Sequence, residues 1–540
     1  MFKLNNIFDL QRWIVILFIL FYSFLIFITG WLCDDAFITF RTVDNFINGF
    51  GLTWNISERV QAYTHPLWMF LLSAFYFFTG DVYFTTIIIS ILLSIVAVTI
   101  LVFYISENYK ISILVLIALI FSKSFIDYST SGLENPLSYF LVVLFYYIYL
   151  KKENNNKKIL SLALITSIIA LNRFDLLLLL LPALFYNSYK TARLKSIPYL
   201  IAGFIPLILW LLFSLFYYGF PFPNTAYAKL NTGISQVALL QQGLYYVLNS
   251  IFIDPLTILL IILTILISFI KRKSNLPPVS IGILLYLIYV IKIGGDFMSG
   301  RFFSVSFLIT AIIISQIEFR TKLYTAFALT IILLGLLAPY PTIFSTTTYG
   351  LGPKLISGFK FGPKILATYD NGIADERLFY YQFTGLLKKE NFNKHPWLEK
   401  VKRVKENHET PFVYTIAGIF GYYAGPEIYI IDPWALTNPL LSKLRATEYW
   451  RVGSKIQPGE KWWRIGHFAR KIPDGYIETL YSEENKIKNP DLKKYYDKLS
   501  FVIKGNLFNS KRLIEVWNLN IGKYDYLIDR YNSTLTNNAN

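Results

Sequence analysis

Two adjacent carboxylates, Asp34 and Asp35, are the first side chains along this sequence equipped for chemistry. They stand in Cys33-Asp34-Asp35-Ala36-Phe37-Ile38-Thr39-Phe40-Arg41, directly after an apolar run from Trp13 to Leu32. That run is about twenty residues long, enough to cross a bilayer as a helix. An ionised Asp is costly in hydrocarbon, so a pair at its rim marks a candidate site. Neighbouring side chains diverge on a helix or an extended chain and cannot serve one atom in the same way. One could act as a general base, a metal ligand or an electrostatic stabiliser, and the other could orient a substrate hydroxyl. The plain alternative is a helix end meeting water.

Other polar groups gather in short Gly/Pro-bearing turns between apolar runs. These turns hold Glu134, Arg173 with Asp175, Asn224 and Lys229, and Asp296 and Arg301. Arg41, Arg173, Lys229 and Arg301 sit at helix ends, where a cation either reaches for lipid headgroups or clamps a phosphate. Lys229 and Arg301 suit the clamp; Arg173 suits an ion pair with Asp175. His65, in Tyr63-Thr64-His65-Pro66 beside Trp68, reads as a hydrogen-bonded turn residue, with a catalytic role as the alternative. His395 and His408 are too far apart for a familiar zinc site, and Cys33 is the single cysteine, so no intramolecular disulfide forms. There is no phosphate-binding Gly-rich loop, and Gly294-Gly295-Asp296 lacks the strand context of a nucleotide fingerprint. Trp434, Trp450, Trp462, Trp463, Tyr422 and Tyr423 could stack on sugar rings or simply fill a core.

The elements that must hold these groups follow from composition. The chain has 540 residues, 54% hydrophobic and only 16% charged, well below the charge of a soluble domain. Its net charge of +17 lies largely in short loops between apolar runs, which is an orientation signal and excludes nucleic acid as the partner. Further apolar runs are Phe84–Tyr104, Ile111–Phe121, Pro136–Leu150, Ile159–Leu171, Phe174–Tyr186, Ile197–Tyr218, Leu244–Ile270, Val279–Ile291, Phe302–Ile317 and Leu323–Ala338. Pro66–Phe78 is ambiguous by length. Placing it along the outer interface, rather than across the membrane, puts the Lys-rich loops at 151–158, 189–195, 271–273 and 318–322 all on the cytoplasmic side. The expectation is therefore a polytopic α-helical membrane protein with about eleven spans. Its membrane domain covers residues 1–340 and has an outer loop at 33–83. Residues 341–540 form a periplasmic α+β domain, with strands in Thr410–Ala417 and Glu427–Ile431 and helices in Phe392–Asn407 and Asn489–Leu499. The first apolar run is too long for a cleaved signal and is expected to be retained.

In order and combination, these segments resemble the membrane-integral C-type glycosyltransferases, and most of all the terminal β-(1→2)-arabinofuranosyltransferase branch. The resemblance rests on the Asp-Asp-Ala-Phe segment, on Gly49-Phe50-Gly51-Leu52-Thr53-Trp54-Asn55, and on Glu58 through Trp68. It continues at Thr130-Ser131-Gly132-Leu133-Glu134, Leu171-Asn172-Arg173, Phe222-Pro223-Asn224 through Lys229, and Gly295-Asp296 through Phe302. In the last third it rests on Asp432-Pro433-Trp434 through Pro439 and on Trp463-Arg464-Ile465-Gly466-His467-Phe468. It implies transfer of arabinofuranose or another sugar from a polyprenyl-phosphate donor. The acceptor would be a cell-envelope glycan or glycolipid, lipopolysaccharide included, on the periplasmic side of a bacterial inner membrane. Asp34 or Asp35 would be catalytic. Arg41, His65, Glu134, Asn224, Lys229, Asp296 and Arg301 would bind the donor's phosphate and sugar, with or without a divalent cation. His65 stands where the family commonly has Asn. The rival expectations are a transporter or flippase of lipid-linked glycan, and a glycan-assembly protein without catalysis.

Overall fold

The computed structural model describes residues 2–271, 275–345, 349, 372–446, 464–482 and 484–537. Trp450, Trp462, Trp463 and the loop residues Arg272 and Lys273 lie outside them. The described chain is mostly helical and groups into two compact units, each discontinuous in sequence. The first takes residues 1–33, 83–207 and 236–392; the second takes 34–82, 208–235 and 393–540. The segment carrying Asp34 thus groups with the C-terminal third, and the composition change near residue 340 does not coincide with a unit boundary.

The first unit is built of apolar helices whose starts are set by local chemistry. Asn108, Ser122 and Asn155 accept the backbone N–H of Ile111, Phe125 and Lys158 through their side chains, the usual device at a helix start. Leu10–Ile28, Val82–Ile105 and Phe174–Tyr218 are long and apolar enough to cross a membrane. The last of these, 45 residues, is interrupted where Arg193 takes φ 47° ahead of a short turn. The apolar helices Tyr109–Phe121, Pro277–Lys292, Arg301–Ser315 and Thr321–Leu337 are 13 to 17 residues long. They fall short of the ~20 that an upright crossing takes, so length supports three or four spans and leaves the count of about eleven unsupported.

The run expected as one helix at Leu244–Ile270 is two. Gln236–Ile253 and Pro255–Ile270 meet at 110°. Pro255 lacks an N–H and disfavours the helical conformation of Asp254 before it. The Asp254 carboxylate then accepts from the Ser124 amide (2.7 Å) and the Thr257 hydroxyl (2.6 Å). Elsewhere helices touch backbone to backbone. A Cβ on Gly282 would stand 2.3 Å from the Leu179 carbonyl oxygen, which only glycine permits.

The second unit wraps short helices around a core that includes Trp54, Phe420, Ile430, Leu441, Tyr476 and Leu499. Its helices are Asp34–Ile47, Pro66–Thr79, Asn224–Leu230, Pro396–Glu406, Ile419–Ala424, Tyr476–Ser482, Pro490–Lys504, Ser510–Asn520 and Asp525–Asn537. The C-terminal half of the helix Ile197–Tyr218, from Ile208 on, also belongs to it. The expected strands shrink to Phe412–Val413 and Ile430–Ile431, paired in parallel with Phe412 opposite Ile430. Strand content among the described residues is therefore thin for an α+β domain. The helix Pro66–Thr79, with Pro at its start and Gly80 at its end (φ 65°), has 14 residues and is too short to span.

Candidate active site

Asp34 and Asp35 open the helix Asp34–Ile47, both half-buried. Asp34 faces the segment around residue 418. Asp34 Oδ1 accepts from the Ile419 amide at 2.7 Å, capping the helix Ile419–Ala424. Gly418 lies so close that a Cβ there would stand 2.5 Å from the Asp34 carboxyl carbon. Burial raises the Asp34 carboxyl to about 7, against the Ile419 hydrogen bond, and the charges of Asp35 and Asp432 push the same way as burial.

Asp432 is fully buried and folds its own turn. Its carboxylate accepts from the amides of Trp434 (2.8 Å), Leu436 (2.8 Å) and Thr437 (3.3 Å). Burial nonetheless lifts it to about 7. Asn224 grips this turn from the outside, donating to the carbonyls of Ala435 (2.9 Å) and Leu436 (3.0 Å) and accepting from Ser442 (2.8 Å). Arg470 adds bonds to the carbonyls of Leu444, Phe468 and Ala228. The turn presents Trp434, half-buried, with the His467 ring edge-on 4.2 Å away. Burial holds the His467 imidazole well below its usual range, helped by the positive charges of Arg464 and Lys229. Lys229 itself is exposed.

Two residues expected at the donor, Arg41 and Asn224, make structural ties in this unit. Arg41 is buried and donates to the carbonyls of Trp54 (2.8 Å), Gly421 (2.7 Å) and Ile428 (2.8 Å), with its guanidinium 4.4 Å from the Trp54 ring centre. In this structure Arg41 ties together three backbone carbonyls and the Asn55 side chain. Asn224 is likewise consumed by the 435–442 segment. His65 is buried, with Nε2 2.7 Å from the Thr39 hydroxyl and Nδ1 3.2 Å from that of Thr64, as suits a hydrogen-bonded turn residue.

Glu134, Asp296 and Arg301 fall in the first unit and do come together. Glu134 Oε1 lies 3.3 Å from Arg301 and 3.5 Å from Arg173, and Arg301 also reaches Asp296 at 3.5 Å. Arg173 pairs with Asp175 at 2.5 Å, in keeping with its sequence, and Tyr286 donates to the same carboxylate. Three carboxylates therefore face two guanidiniums, and Arg301 is already neutralised by its neighbours. A second buried ionic group went unseen in the sequence. Lys123 bridges Asp127 and Asp375 (3.0 Å to the latter), and Arg377 holds Asp127 at 2.9 Å. Its only local signal is the i, i+4 spacing of Lys123 and Asp127. Among the described residues no group of His, Cys, Asp and Glu is disposed to hold a metal ion.

A mostly helical chain with three helices of spanning length among the described residues has the build of a membrane protein. Comparison sharpens the class to a distant likeness to glycosyltransferases. Over an alignment of 524 residues the chain is 23% identical to the terminal beta-(1->2)-arabinofuranosyltransferase of Mycobacterium tuberculosis (strain ATCC 25618 / H37Rv), covering 78% of this chain and 80% of that protein. No family profile matches the chain, and no solved structure does.

Proposed function

We propose that this protein is a membrane glycosyltransferase that moves a sugar from a polyprenyl-phosphate donor to a cell-envelope glycan or glycolipid on the periplasmic side. The carrying observation is the likeness to an arabinofuranosyltransferase over more than three quarters of both chains. Arabinofuranose is one candidate sugar, and the scaffold leaves room for others.

In this reading Asp35 is the reacting carboxylate and Asp34 positions it. Asp34 is committed through Oδ1 to the Ile419 amide, so it fixes the helix start on which Asp35 stands. Asp35 takes the proton of the acceptor hydroxyl as that oxygen attacks the anomeric carbon. The new C–O bond forms while the bond from that carbon to the phosphate oxygen breaks, and the electron pair leaves with the polyprenyl phosphate. Lys229, exposed in the same unit, offers a cation for the leaving phosphate. Trp434 offers a ring face or edge to a sugar. Arg301 is a weaker choice for the phosphate because Glu134 and Asp296 already balance it.

The test is transfer in proteoliposomes. Purified protein is given a panel of radiolabelled polyprenyl-phosphate sugars, arabinofuranose among them, with envelope glycan acceptors. Label should pass to the glycan with wild type and not with Asp35→Asn. A transporter of lipid-linked glycan is the second reading, favoured by the helix break at Asp254 and the buried ions around Lys123. Donor that changes leaflet intact, with no label in glycan, would select that reading. Glycan binding with neither outcome would mean an assembly protein.

A further inference from the structure

The helix Ser510–Asn520 buries one side and exposes an apolar stripe on the other. Arg512, Val516 and Leu519 are buried, whereas Ile514, Trp517 and Ile521 are 59%, 66% and 58% exposed, and Phe508 just ahead of them is 83% exposed. Scattered exposed apolar residues are ordinary, but a stripe of four that includes Phe508 and Trp517 marks a contact surface. What covers it follows from where the helix is fastened. Arg512 donates to the carbonyls of Phe216 (2.8 Å) and Tyr217 (3.0 Å), and Asn520 to that of Gly219 (2.8 Å). These carbonyls end the helix Ile197–Tyr218, part of the longest apolar stretch in the chain, whose most apolar window is only 17% buried.

The two exposed surfaces are continuous. Leu209, Leu212 and Phe216 follow one another at i, i+3 and i+7, and the first two are 60% and 58% exposed. The Phe216 ring then meets the Phe508 ring at 5.6 Å between centroids. A single apolar track therefore runs off the end of a membrane-crossing helix onto Phe508 and the short helix. Lys511 and Lys523 are exposed beside it.

We infer that Ser510–Asn520 is an interfacial anchor, lying on the bilayer that Ile197–Tyr218 enters. Phe508, Ile514, Trp517 and Ile521 sit in the headgroup–acyl boundary, and Lys511 and Lys523 meet anionic lipid phosphates. An amphipathic helix with Trp and Phe on its apolar side and Lys at its edge has the chemistry of that boundary. The anchor fixes the second unit at the membrane surface whatever reaction the chain performs.

The experiment uses the full chain in phosphatidylcholine–phosphatidylglycerol nanodiscs. A nitroxide is placed on Ile514→Cys and, in a separate protein, on Phe508→Cys; the native Cys33 is buried and stays unlabelled. Lys402→Cys, whose side chain is 77% exposed on a charged helix, serves as the reference in water. At residues 514 and 508, oxygen should collide with the label more readily than a water-soluble nickel chelate. Nickel access there should be several-fold lower than at residue 402. Nickel access equal to that at 402 overturns the anchor. So does dipolar broadening that disappears when labelled chain is diluted with unlabelled chain, because a second copy would then cover the stripe.

Discussion

Exchanging Asp34 and Asp35 one at a time separates the two roles assigned to them. Asp34→Ala removes the acceptor of the Ile419 amide, a helix cap worth about 1–2 kcal/mol, and leaves that N–H close to Gly418 without its partner. Asp34→Asn keeps an oxygen at the same place and should cost only ~0.5 kcal/mol. If Asp35 is the base, Asp35→Asn should slow transfer by about 100- to 10,000-fold, the range a positioned general base contributes. Asp34→Asn should then retain most of the wild-type rate, and Asp34→Ala should lose both rate and melting temperature. The assay pairs initial rates of label transfer in proteoliposomes with thermal unfolding followed by tryptophan fluorescence. Asp34→Asn without activity at an unchanged melting temperature, together with an active Asp35→Asn, would reverse the assignment. Wild type that transfers no sugar at all would instead refute the proposed reaction and leave the capping role intact.

Three further outcomes follow from the geometry. Arg41→Ala strands the buried carbonyls of Trp54, Gly421 and Ile428, so it should destabilise the second unit by about 3 kcal/mol or more, read as lost yield and an early unfolding transition. Asn224→Ala frees the turn at 435–442 and should cost about 2 kcal/mol, measured by denaturant unfolding, with faster proteolysis near Trp434. Asp34 and Asp432 hold their protons to about 7 in the fold, whereas unfolded Asp releases its proton near about 4. Between those values the folded state binds more protons than the unfolded one. These two groups therefore make stability fall as pH rises from about 4 to about 7, and have no further effect above that. Unfolding scans across this window should show the slope, and Asp432→Asn should flatten it.

The parts of this fold that were legible in sequence are those with local causes. Apolar runs marked the helices. Arg173 and Asp175, two positions apart, announced their pairing. Even the break at Asp254 had a local sign in Pro255, which a hydropathy reading of Leu244–Ile270 passes over. The structural ties of Arg41 and Asn224 were not legible, for the opposite reason. A buried Arg and a donor-binding Arg look alike in sequence, and the carbonyls that Arg41 serves lie up to 387 residues away. A similar distance hid the bond from the Ile419 amide to Asp34, 385 positions away. The ion group of Lys123 and Asp375 was invisible because its halves come from segments with no shared pattern.

The long reach of Arg41 sets a timetable for biogenesis. The guanidinium emerges early from the ribosome, but the carbonyls at 421 and 428 arrive only after most of the polypeptide has been made. Until then Arg41 lacks these two acceptors, and contacts of such long separation are slow to close. A premature stop ahead of codon 421 would therefore leave the Arg41 guanidinium without two of its buried partners, although Arg41 itself had been made.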